Sequence, residues 1–84
     1  SLRISPNPVQ NETTIRFSLT EKEMISIKLY DLRGQVIATV SEREFNAGDN
    51  TIRWTPKSTI PAGLYMLNLQ TKNQNYTTKI VLNR

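Results

Sequence analysis

Apolar and polar residues alternate one for one along most of this chain, and no window holds a sustained apolar stripe at helical spacing. A period of two places successive side chains on opposite faces of an extended backbone, so the pattern calls for strands with one wet and one dry face. From Thr13 to Leu19, the residues Ile15, Phe17 and Leu19 are expected to point inward while Thr14, Arg16 and Ser18 meet water. Met24 to Tyr30 repeats the pattern, with Ile25, Ile27 and Leu29 against Ser26, Lys28 and Tyr30. Its β-branched and aromatic content suits a pleated, half-buried surface.

Turn signals separate these runs. Asp31-Leu32-Arg33-Gly34 opens on Asp and closes on Gly, and Gln35 to Val40 then reads as the second arm of a hairpin with Val36, Ala38 and Val40 on its inner face. Ala47-Gly48-Asp49-Asn50 is a second turn, followed by a strand from Asn50 to Thr55 that carries Ile52 and Trp54. Pro56 and Pro61 bracket a stretch unsuited to a central strand, because proline offers no ladder donor. Gly63 reopens extended structure, in which Tyr65, Leu67 and Leu69 alternate with Met66, Asn68 and Gln70. Lys72-Asn73-Gln74-Asn75 reads as a hairpin connection, Tyr76 to Leu82 as the last strand and Leu2 to Ser5 as a short first one.

Seven short strands with turn signals between them predict an all-β fold, a seven-stranded antiparallel immunoglobulin-like β-sandwich. A five-strand barrel is the other architecture the pattern admits. The expected core is Ile15, Phe17, Ile25, Ile27, Leu29, Val36, Trp54, Leu67 and Leu69. At 84 residues the chain suits one domain, residues 1–84, and a globule of that size buries only roughly 60–65% of the surface its unfolded chain exposes.

Composition narrows the chemistry. There is no cysteine and no histidine, so neither a disulfide nor a thiolate or imidazole metal site is available. The carboxylates Glu12, Glu21, Glu23, Asp31, Glu42, Glu44 and Asp49 lack the spacing of a calcium-binding loop, and no metal is expected. Nucleophilic catalysis would fall to Lys57-Ser58, in a proline-bounded loop, or to Glu42 and Glu44, which beside Arg43 read as a solvated edge. No catalytic residue and no cofactor are therefore expected. Gly34, Gly48 and Gly63 are too far apart for a phosphate-cradling loop, and the sequons at Asn11 and Asn75 are no more than a chain rich in Asn and Thr produces by chance.

No apolar run, Ile80-Val81-Leu82 included, approaches the ~18 residues of a membrane span, and no secretory leader opens the chain. The chain is thus expected to be a piece of a longer protein whose leader lies upstream of Ser1. Its net charge of +4 is spread over Arg3, Arg16, Lys28, Arg33, Arg53, Lys57, Lys72 and Lys79, as solvated strand faces would spread it, and no nucleic-acid partner is expected.

Four signals occur in a fixed order: Pro6-Asn7-Pro8, Asp31-Leu32-Arg33-Gly34 after a strand ending in Tyr30, Gly63-Leu64-Tyr65, and Lys79-Ile80-Val81-Leu82. In this order and spacing they resemble the type A C-terminal sorting domain of the type IX (Por) secretion system, over the whole chain. Ile4-Ser5 departs from the family, which often carries an aromatic before the first motif.

The resemblance implies a Gram-negative parent that enters the periplasm by a general leader and is directed across the outer membrane to the surface or the medium by this domain, without catalysis of its own. It implies as partners an N-terminal cargo domain in the same chain, an outer-membrane translocon, and a sortase-like transpeptidase that removes the domain at or before Ser1 and often attaches the cargo to an anionic lipopolysaccharide. Lys79, Ile80, Val81 and Leu82 would carry translocon recognition at an open sheet edge, while Pro6, Asn7, Pro8, Asp31, Gly34, Gly63 and Tyr65 would shape the fold. The alternative is an accessory fibronectin- or immunoglobulin-like spacer, or a carbohydrate-binding module whose stacking residues would be Trp54, Tyr30 and Tyr76.

Overall fold

The computed structural model describes residues 2–84. Among them seven strands form: β1 (Leu2–Ser5), β2 (Thr13–Leu19), β3 (Glu23–Tyr30), β4 (Val36–Phe45), β5 (Gly48–Trp54), β6 (Gly63–Gln70) and β7 (Asn75–Leu82). They assemble into two antiparallel sheets, ordered β1-β2-β5 and β4-β3-β6-β7. The seven-stranded immunoglobulin-like sandwich is thus the architecture, rather than the five-strand barrel.

The alternation read from the sequence builds the core directly. Ile15 and Phe17 from one sheet meet Ile25, Ile27, Leu29, Leu67, Leu69, Ile80 and Leu82 from the other, all buried. Each such side chain removed from water contributes about 1.5–3 kcal/mol before entropy is counted. Phe17 and Phe45 meet edge to face across the sheets, their ring centroids 5.1 Å apart. The Arg43 guanidinium lies 3.8 Å from the Phe45 ring centre, so its planar cation covers an aromatic at the open edge.

Two members of the expected core are placed differently. Val36 is 52% exposed. The β3–β4 register shifts between Ile27 and Lys28 and again between Leu29 and Tyr30, where Ala38 pairs with Leu29 and Val36 with Tyr30. Each bulge adds a residue to β4, and the second leaves Val36 opposite an outward-facing residue. Trp54 is half-buried against the side of the core, at the end of β5 opposite Thr13. Conversely, Val9, Phe45 and Ile60 are buried although the strand pattern did not single them out.

Strand limits also moved. β4 continues five residues beyond Val40, and β5 begins at Gly48, within the expected turn. The chain crosses between sheets there, with Gly48 at φ 100° and the Asn50 side-chain amide donating to the carbonyl oxygens of Asn46 (2.9 Å) and Gly48 (3.2 Å). The left-handed φ is one that a side chain disfavours.

The candidate recognition strand

β7 pairs with β6 from Gly63↔Leu82 to Gln70↔Asn75 and is the outermost strand of its sheet. Ile80 and Leu82 point into the core and are fully buried; Lys79 is exposed and Val81 half-exposed on the outer face.

The open edge expected along this strand is only partly open. The Asn7 side chain lies beside it as one amide unit would, its Nδ2 donating to the Lys79 carbonyl (3.0 Å) and its Oδ1 accepting from the Val81 N–H (3.0 Å). Val9 continues the pairing in the parallel sense: its N–H donates to the Val81 carbonyl (2.7 Å), and its carbonyl accepts from the Asn83 N–H (2.8 Å). The segment is held from the other sheet as well, because the buried Thr13 hydroxyl donates to the Pro6 carbonyl (2.8 Å). The peptide bonds before Pro6 and Pro8 are both cis. From the Lys79 carbonyl to Asn83 the β7 edge is therefore occupied, whereas toward Asn75 no strand among the described residues pairs with it.

The remaining motifs gather at the same end of the sheet. Tyr65 pairs with Ile80, and its hydroxyl turns back to donate to the Pro61 carbonyl (2.7 Å), a tyrosine corner at the entry to β6. Gly63, two residues earlier, has φ 153°. Asp31 closes the β3–β4 turn: its Oδ1 accepts from the N–H groups of Arg33 (2.9 Å) and Gln35 (3.0 Å), and its carbonyl accepts from the N–H of Gly34 (3.1 Å), which has φ 89°. Four motifs up to 76 residues apart in the chain (6 to 82) thus meet where β3 and β7 end and β4 and β6 begin.

Other candidate groups do not converge. Lys57 and Ser58 line an open surface depression with Gln10 and Arg84. Glu42 lies 3.8 Å from Lys28, and Glu44 3.6 Å from Lys22, as exposed ion pairs along β4. No group of three metal-ligating side chains occurs among the described residues. Trp54 belongs to one sheet, while Tyr30 faces outward beside Val36 and Met66 and Tyr76 pairs with inward-facing Leu69 on the other, so the three aromatics form no common stacking surface.

The fold and its motifs define a small immunoglobulin-like β-sandwich domain whose C-terminal strand is held between a tyrosine corner and an asparagine clamp. The family described as secretion system C-terminal sorting domain matches residues 3–83, and the chain belongs to it. It is thus a type IX secretion sorting signal, of a non-catalytic family that marks proteins for the cell surface or the extracellular space. Among curated proteins, the chain is 35% identical over 82 residues to an endo-acting ulvan lyase of Formosa agariphila. The match covers 96% of this chain and 14% of that protein.

Proposed function

We propose that β7 presents the export information of this domain through its outward side chains, Lys79 and Val81, while Ile80 and Leu82 hold the strand in place. The observation that carries this reading is the division of the end of the strand: Ile80 and Leu82 are locked into the core, while Lys79 and Val81 stand on the outer face. An outer-membrane translocon component is the reader. A cargo region N-terminal to the domain is what it exports, and the 14% coverage of an ulvan lyase supports a larger enzyme as such a cargo. After passage, a sortase-like transpeptidase removes the domain during surface attachment. The cleavage point, expected at or before Ser1, lies outside the described residues.

The test fuses a reporter upstream of the chain in a bacterium with a working type IX system. The intact fusion should place reporter on the surface or in the medium, with a mass lowered by loss of the domain. A fusion lacking the domain should stay in the periplasm. Equal export of both would refute the sorting role, and export of the unshortened fusion would refute removal alone.

A further inference from the structure

Resting on that reading, the geometry points to a docking surface that reaches beyond β7 across all four strands at one end of the outer face of its sheet, fitted to a protein partner with an apolar patch rimmed by carboxylates. The register sets Val36, Tyr30, Met66 and Lys79 in one row across all four strands, and Leu64 and Val81 side by side in the adjacent region. Leu32 adjoins them, sharing a shallow groove with Tyr30 and Met66. Leu32 is 65% exposed, Val36 52% and Leu64 41%. Apolar groups gathered on a solvated face at this density mark an interaction site, because a strand face meant for water alone would alternate to polar residues.

The edge itself is a poor target here. Asn7 and Val9 already occupy the β7 backbone from Lys79 to Asn83, so strand addition at that point would first have to displace them. Side chains on the face are open without any displacement.

Charge selects the occupant. Lys79 within the face and Arg33 in the adjoining turn form none of the ion pairs of the described residues, which join Lys22 to Glu44, Lys28 to Glu42 and Arg53 to Glu12. Asp31, the nearest carboxylate in that turn, is engaged by the N–H groups of Arg33 and Gln35. A second copy packed face to face would set these cations against each other in a chain already at +4. A lipid surface would call for protruding aromatic wedges, and this flat face carries no Trp or Phe. A protein surface with acidic groups around an apolar centre satisfies both features.

The test measures export of a fused reporter and melting of the 84-residue chain for Val36→Thr, Leu64→Thr and, as control, Met24→Thr. Met24 is 61% exposed at the opposite end of the same sheet face. Threonine keeps β-propensity, so melts should stay near wild type. Export should fall to about a tenth or less for the two patch variants, the scale of one lost interface anchor, and stay unchanged for Met24→Thr. Leu64→Glu should be exported less than Leu64→Lys. Wild-type export by both threonine patch variants, or equal losses for Leu64→Glu and Leu64→Lys, would overturn the acid-rimmed partner. If Lys79 and Val81 variants are blocked while patch variants pass, the β7 reading stands and this extension falls. If the wild-type fusion is not exported, both fall. A dimer in sedimentation that Val36→Thr dissolves, or binding to anionic phospholipid vesicles that it abolishes, would replace the protein partner by a second copy or a membrane.

Discussion

Replacing Asn7 by alanine isolates the clamp on the C-terminal strand. The change deletes two hydrogen bonds, to the Lys79 carbonyl and from the Val81 N–H, without touching the core. A hydrogen bond contributes about 0.5–1.5 kcal/mol net, and water can reach these exposed groups, so the loss should be about 1–2 kcal/mol. A chain of 84 residues has a total stability of about 4–13 kcal/mol, so the effect is a sizeable fraction. At roughly 4–8 °C per kcal/mol for a domain of this size, Tm should drop by about 5–15 °C.

Thermal melts followed by circular dichroism measure the drop, and amide exchange locates it: Val81 should lose protection while Leu67 in the central strand β6 loses none beyond the global change. Asn7→Asp adds a sign. A carboxylate still accepts from Val81 but repels the Lys79 carbonyl, so at neutral pH it should cost more than alanine. Protonation restores a donor, so the folded state favours the protonated acid; measured against wild type at each pH, stability should be present in acid and lost as pH rises. A melt for Asn7→Ala that coincides with wild type, or unchanged protection at Val81, would refute the clamp.

Gly63→Val should destabilise by about 1–3 kcal/mol, since φ 153° is nearly closed to a β-branched residue; coincident melts would show that the backbone relaxes freely. Tyr65→Phe should cost about 0.5–1.5 kcal/mol by removing the bond to Pro61, read from chemical denaturation with unchanged slope. Val36→Thr should leave stability within about 0.5 kcal/mol, in contrast to the several kcal/mol of a core position. A large loss there would mean that Val36 is packed inward after all.

Strict alternation made β2 legible to the residue and most of the core with it, because Ile15, Phe17, Ile25, Ile27 and Leu29 lie on strands whose own alternation is unbroken, the extra residues of the two bulges falling on β4. Val36 was misplaced because a bulge is a property of two paired strands, invisible in either alone. Val9 and Ile60 fill the core from irregular segments, where no period exists to reveal them. The four motifs were legible, but their meeting at one end of the sheet was not. The Asn7 contacts span 72 and 74 residues, a separation that only the folded topology closes. The same topology turned an edge expected to be open into one half-covered.

Export and stability measured side by side for Lys79→Ala, Val81→Ser and Ile80→Ala test most directly whether β7 is read or merely completes the core. Ile80 is fully buried, so its truncation should cost about 2–5 kcal/mol and impair export through unfolding. Lys79 and Val81 face outward, so their variants should melt close to wild type. The account predicts that at least one of those two leaves cargo in the periplasm with its melt intact. Export that follows stability across all three variants, or that survives removal of Lys79 to Arg84, would contradict it.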